Sequence, residues 1–345
     1  MKSEHPYKTL SADKFWKTGV VGQNPFFVES IYKKKFNIIE KHKICTAGSC
    51  FAQHITKRFK KHGFNIIDNE PAPRILPESE HLKHGFSQYS CRYGNIYTVR
   101  QLLQLALEAF DEFTPNNFIW EKDGRYYDAL RPSIFPNGLE TKDEIQFLRS
   151  NHLLSVKKAF LEMDIFIFTL GLTESWTHIT SGTVYPTCPG VVAGAFDENL
   201  FCFENVDYIS ILNDFKTFLK LLKKHRNRGV KIILTVSPVP LTATASTSHI
   251  LPAAIYSKSV LRSIAGYLAS QYDSIDYFPS FEIVNNPMLH SVAFESNART
   301  VKPEIVDIVM RHMFSEHKPF LIENTPKEKP MMDVACEEML LGEFS

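Results

Sequence analysis

The chain of 345 residues has no long apolar run and little net charge. No window approaches the ~20 uninterrupted apolar residues that a membrane-spanning helix needs, and residues 1–15 lack the continuous apolar stretch of a signal peptide. We therefore expect a cytoplasmic protein with no membrane span. Lys and Arg total 39 against 38 Asp and Glu, so no global field attracts a polyanion, and no nucleic-acid partner is expected.

Cysteine is sparse, and no two cysteines have the C-x-x-C spacing of a zinc or redox site. The six are Cys45, Cys50, Cys91, Cys188, Cys202 and Cys336. The sequence also contains no Walker loop, no dinucleotide fingerprint and no metal-ligand spacing. Neither a disulfide framework nor a metal or other cofactor is expected.

What the chain does have is the composition of a folded globular protein, with 44% hydrophobic and 22% charged residues. Apolar, β-rich runs alternate with helical patterns, which predicts an α/β fold with a parallel sheet covered by helices. The predicted strands are residues 43–47, 64–68, 164–170, 230–236 and 275–279. Helices are predicted over Phe51 to Phe59, residues 99–113, Ile211 to Leu222 and residues 256–272, and a last helix is predicted to begin at Pro303.

Two regions interrupt this alternation, residues 70–150 and 173–207, and we interpret both as insertions at the upper edge of the sheet. The expected organisation is one domain over residues 1–314, followed by an acidic tail over residues 315–345. Residues 331–341 form an acidic amphipathic segment, which is expected to dock on its own domain or, alternatively, on a partner.

Ligands of an open parallel sheet bind beyond the carboxyl ends of its strands. Ser49 follows the first predicted strand in a Gly-Ser turn at a helix start, where a hydroxyl is exposed and backbone N–H groups can stabilise an oxyanion. Ser49 is therefore a candidate nucleophile. The alternative is that Ser49 only caps its helix.

Residues 47–52 contain the pentapeptide GSCFA, and the chain resembles the GSCFA family, which is placed with the SGNH/GDSL hydrolases. The likeness extends in order over about residues 5–314, through the segments 6–8, 15–16, 93–98, 169–176, 237–241 and 277–282. The resemblance implies a three-layer α/β/α, flavodoxin-like fold. It also implies that Ser49 is the nucleophile.

The same resemblance assigns an oxyanion hole to the N–H groups of Ser49 and Gly94, with Asn95 beside them. Gly94-Asn95 could instead be only a turn before a helix. The superfamily places a side-chain amide two or three residues after the glycine that matches Gly171, but this chain has Thr173 and Glu174 there. Thr173 could donate a hydrogen bond, whereas an ionised carboxylate cannot stabilise an oxyanion.

The general base is the larger departure, because the Asp-x-x-His of the superfamily is absent from residues 295–300. A serine needs a base to be a good nucleophile at neutral pH. We rank His249 first and His290 second for this role. His54 and His178 are the remaining possibilities.

Four further residues are predicted to contact substrate in the crevice: Glu174, Trp176, Glu282 and Arg299. An arginine beside an oxyanion-forming serine suits a carboxylated or phosphorylated substrate. Trp176 could stack on a sugar ring or simply pack.

The resulting hypothesis is a serine-dependent acyl hydrolase or O-acyltransferase. Its substrate would be a small molecule or carbohydrate that carries an acyl group, such as a cell-surface polysaccharide precursor. Two alternatives stay open: a binding or assembly module without catalysis, and a glycosyl or other group transferase that uses Glu174 as its base. The oligomeric state is not predicted.

Overall fold

A computed structural model describes residues 5–321 and 337–344. The strands are β1 Ile44–Gly48, β2 Ile119–Lys122, β3 Arg125–Asp128, β4 Ile165–Leu170, β5 Glu174–His178, β6 Val184–Tyr185, β7 Phe201–Asn205, β8 Lys231–Val236 and β9 Ile275–Tyr277. The helices are α1 Phe51–Lys61, α2 Glu78–His81, α3 Val99–Ala109, α4 Lys142–Glu162, α5 Tyr208–His225, α6 Ile250–Gln271, α7 Ser280–Val284, α8 His290–Ala293 and α9 Pro303–Glu316. Residues Glu337–Phe344 form a 3₁₀ helix, called here the C-terminal 3₁₀ helix.

The central sheet is parallel, with strand order β1-β4-β8-β9. Every residue of β4 is buried, as a strand covered on both faces requires. Phe166 and Phe168 of β4 point into one apolar core, which includes residues of α3, α5 and α6. Ile165 and Ile167 point into a second core, which includes residues of α1 and α9. The predicted three-layer α/β/α fold is confirmed.

Several elements differ from the prediction. Residues 64–68 form a single parallel bridge, between Ile44 and Ile66, and not a full strand. The backbone of Ile44 hydrogen-bonds only to Asn65 and Ile67 of this stretch. Helix α6 begins at Ile250, before the predicted residue 256, and α5 extends beyond the predicted Ile211 to Leu222 at both ends. Helix α4 was not predicted, because its apolar residues are spread around the helix and several, such as Phe147, are exposed.

The two predicted insertions have structure of their own. Residues 173–207 form a three-stranded antiparallel sheet, order β6-β5-β7, which starts directly after β4. Residues 70–150 include α2, α3, the β2–β3 hairpin and the beginning of α4. Asp128 of β3 accepts hydrogen bonds from Arg131 and from Arg149 of α4, and Arg149 also pairs with Glu108 of α3. These buried ion pairs fix the hairpin to both helices.

Across residues 5–321 and 337–344, no helix is both long enough and apolar enough to cross a membrane.

Candidate functional site

Ser49 lies at the carboxyl end of β1, in the turn that leads into α1. The turn needs Gly48, whose φ is +138° and whose added Cβ would approach the Thr169 carbonyl oxygen to 2.5 Å. Ser49 is only 3% exposed. Its Oγ is buried and has no hydrogen-bond partner among the described residues. A buried hydroxyl without a partner costs free energy, so this position is a candidate for chemistry.

Gly171 directly follows β4 and packs against the side chain of Ser49. A Cβ added to Gly171 would lie 2.9 Å from Ser49 Cβ and 3.0 Å from the Tyr97 carbonyl oxygen. The Gly171 N–H donates to that same oxygen over 3.1 Å. The absence of a side chain at this position therefore lets three segments of the chain meet at the serine.

Asn95 follows Gly94, whose φ of +66° makes the turn possible. Two buried side chains fix the orientation of the Asn95 amide. Its Oδ1 is 2.6 Å from the Tyr89 hydroxyl and also accepts a hydrogen bond from Gln53. The Tyr89 hydroxyl is also 3.1 Å from the Ser49 carbonyl oxygen. One tyrosine thus links the predicted nucleophile and the predicted oxyanion donor.

Three donors converge on a carboxylate in front of this amide. Asn95 Nδ2 and the Tyr97 hydroxyl both donate to Oε2 of Glu337, the latter over 2.7 Å, and the Ser133 hydroxyl donates to Oε1. Glu337 belongs to the C-terminal 3₁₀ helix and is 3% exposed. The site can therefore bind a carboxylate with neutral donors on both oxygens.

Arg299 lies beside the same helix. Its Nη2 donates to Glu338 over 2.8 Å, and its Nε donates to the carbonyl oxygen of Pro240 over 3.1 Å. Burial raises the pKa of Glu338, although Arg299 and Lys258 both favour its charged form. Two consecutive carboxylates of the tail are thus bound by the crevice.

Lys258, which was not predicted, is the buried cation of the site. It lies on α6, is 4% exposed, and donates from Nζ to the Gly171 carbonyl oxygen over 2.7 Å. Burial lowers its pKa to about 8, the carboxylate of Glu338 acts in the opposite direction, and Arg299 adds to the lowering. The only signal in the sequence is its place on the helix face that buries Ala254 and Leu261.

The structure does not bring the two predicted bases to Ser49. His249 is exposed at the start of α6, where its Nδ1 accepts from the Leu251 N–H over 3.2 Å. His290 is exposed on α8 and packs edge-on against Phe294. Neither lies within hydrogen-bond distance of Ser49 Oγ. The Asp-His arrangement of the superfamily is therefore not replaced by either histidine in this conformation.

The other two candidate bases, His54 and His178, do not hydrogen-bond to Ser49 Oγ either. Burial lowers the pKa of His54 to about 3, and its ring packs against Phe51. His178 is within hydrogen-bond distance of Ser181 in the small antiparallel sheet.

Two of the predicted oxyanion donors have other partners. The Ser49 N–H donates to the Thr169 carbonyl oxygen over 3.2 Å, because the turn keeps β1 and β4 paired. Thr173 donates from its hydroxyl to Asn205 over 2.7 Å and from its N–H to Ser257 over 3.1 Å. In this conformation, the donors that reach Glu337 in the crevice are the Asn95 side chain together with the hydroxyls of Tyr97 and Ser133, which were not predicted.

Glu174, Trp176 and Glu282 have structural partners as well. Glu174 accepts from Thr244 over 2.7 Å, and burial raises its pKa. Trp176 packs edge-on against two phenylalanine rings within the small sheet. Glu282 pairs with Arg262 and lines a separate cavity of about 510 Å³ beside the N-terminal segment.

No group of three or more His, Cys, Asp or Glu side chains that could hold a metal ion occurs within the described ranges. The crevice presents a serine hydroxyl, a buried lysine, the Arg299 guanidinium and neutral hydrogen-bond donors.

Comparison with known proteins gives a family but no characterised relative. The model of the GSCFA family matches residues 43–313, a span that includes β1, Ser49, Gly171, Lys258 and Arg299. No curated protein and no solved structure matches the chain. Because the match covers most of the sequence and includes the pentapeptide that follows β1, the chain belongs to the GSCFA family.

Proposed function

We propose that this protein is a serine-dependent acyl-transfer enzyme, either an esterase or an O-acyltransferase, with Ser49 as nucleophile. The observation that carries the proposal is the buried Oγ of Ser49, which has no hydrogen-bond partner within the described residues and lies at the carboxyl end of a central-sheet strand. Ligands of parallel sheets bind at this edge. A structural serine in such a position would normally have a partner.

Lys258 is the proposed proton acceptor. Its Nζ donates to the carbonyl oxygen of Gly171, and Gly171 packs against Ser49, so one residue separates the amine from the proposed nucleophile. The proposal requires the amine to turn from that carbonyl oxygen toward the hydroxyl during the reaction. A pKa of about 8 leaves a useful fraction of neutral amine near neutral pH. Serine with lysine is an established variant of the catalytic triad.

In the proposed reaction, Ser49 Oγ attacks the acyl carbon as its proton passes to Lys258 Nζ. The electron pair of the C=O bond moves to oxygen, where the Asn95 amide and the Tyr97 hydroxyl stabilise it in the place now taken by Glu337. The intermediate collapses, the acyl–oxygen bond breaks, and the leaving alkoxide takes the proton from Lys258. Water or an acceptor hydroxyl then repeats the sequence on the acyl-serine.

The proposed substrate is a small molecule or carbohydrate that carries an O-acyl group. We propose that the enzyme acts on it in the cytoplasm. The support for carbohydrate is the likeness to the SGNH/GDSL superfamily alone.

The test is labelling with a fluorophosphonate probe, which reacts covalently with an activated serine. We expect the full-length wild type to be labelled and Ser49→Ala not to be, with the exposed Ser259→Ala of α6 as matched control. Lys258→Met should abolish labelling, and Lys223→Met, at an exposed position of α5, should preserve it. Labelling of Ser49→Ala at the wild-type rate would exclude the proposed nucleophile.

A second function, a binding module without catalysis, is favoured by one observation, the occupation of the donor set by Glu337. It predicts no labelling even after the carboxylate is removed by Glu337→Gln. Labelling that appears only in this variant would instead support an enzyme whose site is covered.

A further inference from the structure

The anion-binding donors of the crevice are organised by the domain itself. Gln53 and Tyr89 orient the Asn95 amide, and the Tyr97 N–H is bonded to the side chain of Gln101. None of these supporting contacts involves the tail. The donor set is therefore built before a carboxylate enters it, which is the arrangement expected of a ligand site.

The position of the charges distinguishes two subsites. Glu337 is bound by three neutral donors, with hydrogen bonds to both carboxylate oxygens, and Glu338 is bound by the guanidinium of Arg299. Both carboxylates are buried, at 3% and 7% exposure. Burial of two adjacent carboxylates is costly unless each is hydrogen-bonded, and the crevice meets that condition for both.

We infer that the crevice is a binding site for an acidic ligand with two neighbouring carboxylates, and that Glu337 and Glu338 occupy the place of that ligand. The inference goes beyond the proposed function, because a carboxylate held by Asn95 and Tyr97 occupies the place proposed for the oxyanion, and the acidic ligand is therefore a competitor of the acyl-bearing substrate. The C-terminal 3₁₀ helix then competes with substrate from within the same chain. The site at Ser49 opens when the two carboxylates leave.

The experiment compares full-length wild type with the double variant E337Q/E338Q, using E304Q at an exposed position of α9 as charge control. The probe is acetyl-Glu-Glu-amide, with acetyl-Gln-Gln-amide as its neutral match, and binding is measured by calorimetry. We expect the acidic probe to bind the double variant at least roughly tenfold more tightly than wild type or E304Q. In those two proteins the probe must first displace the tail carboxylates, which costs at least one charge-assisted hydrogen bond. The neutral probe should not bind.

Two additional variants locate the subsites. Tyr97→Phe or Arg299→Gln, each added to the double variant, should weaken the acidic probe by roughly tenfold, as the loss of one hydrogen bond to a carboxylate predicts. Fluorophosphonate labelling of Ser49 should be faster in the double variant than in wild type and should slow when the acidic probe is added.

The outcomes separate the two proposals. Binding of the acidic probe without labelling of any protein would support the ligand site and overturn the acyl-transfer function. Equal labelling of wild type and double variant, with no binding of the acidic probe to either, would overturn the ligand site and leave the acyl-transfer function standing.

Discussion

The ammonium group of Lys258 donates a hydrogen bond to the carbonyl oxygen of Gly171, and Gly171 packs directly on Ser49. A lysine so deeply buried is unusual, because desolvation penalises its charged form. The contact joins α6, which follows β8, to the turn after β4. Burial of the same amine lowers its pKa, and the pH dependence of the proposed chemistry follows from that lowering.

The rate of Ser49 labelling by a fluorophosphonate should rise with pH through an inflection near 8. The proton acceptor is the neutral amine, and the pKa of Lys258 is lowered to about 8, so the reactive fraction increases as pH passes through that value. The measurement is the labelling rate from pH 6 to 10. Lys223→Met should keep the inflection. A pH profile whose inflection disappears in His249→Ala would assign the base to the histidine instead.

Gly171→Ala should abolish labelling and lower stability by about 1–3 kcal/mol, the range for a group forced into a packed site. The added methyl would meet Ser49 Cβ at 2.9 Å and the Tyr97 carbonyl oxygen at 3.0 Å, and backbone cannot yield cheaply. Urea denaturation measures the loss. Gly229→Ala is the control, because an added Cβ there meets nothing within 4 Å. A fully labelled, fully stable Gly171→Ala protein would contradict the described packing.

Tyr97→Phe, in the E337Q/E338Q background, should slow labelling by roughly tenfold or more, while the folded protein is retained. The change removes only the hydroxyl that faces the crevice, and loss of one oxyanion donor typically costs ~10²–10³ in rate for true substrates. Circular dichroism and labelling kinetics together measure this. An unchanged rate would remove Tyr97 from the proposed oxyanion site.

Asp128→Asn should destabilise the protein by about 3–5 kcal/mol, because Arg131 and Arg149 would both lose a buried carboxylate partner. These arginines hold the pKa of Asp128 below its ordinary value. Its stabilising contribution is therefore present above the ordinary aspartate pKa of ~4 and is lost as pH falls through the lower folded-state value. Thermal unfolding between pH 7 and 3 should show a smaller acid loss in the variant. Asp123→Asn, in the exposed hairpin turn, should match wild type.

The sheet could be predicted from the sequence because its central strands are apolar on both faces, and Ser49 because a Gly-Ser turn follows one of them. Helix α4 could not, since its contacts depend on where α3 and the hairpin lie. Lys258 was missed for a similar reason. A lysine is expected in water, and only the tertiary structure places its amine against a carbonyl oxygen in the interior.

The docking position of the acidic tail could not be predicted from the sequence either. An acidic amphipathic segment predicts docking somewhere, but the donors that receive Glu337 come from residues 95, 97 and 133, which no local pattern connects. Residues 331–336 of the predicted segment lie outside the described residues. The ranking of His249 and His290 failed to find a partner for Ser49 because position on the correct edge of a sheet does not fix which way a loop turns.

The pairing of β1 with β4 has a consequence for how the chain acquires its structure. Ile44 aligns with Ile165, so the first strand has no central-sheet neighbour until a long intervening segment has been synthesised and closed into a loop. Such non-local parallel pairing folds slowly and leaves an apolar strand exposed meanwhile. The strand that leads into the GSCFA pentapeptide therefore pairs late, and refolding from denaturant is expected to be limited by the closure of that loop.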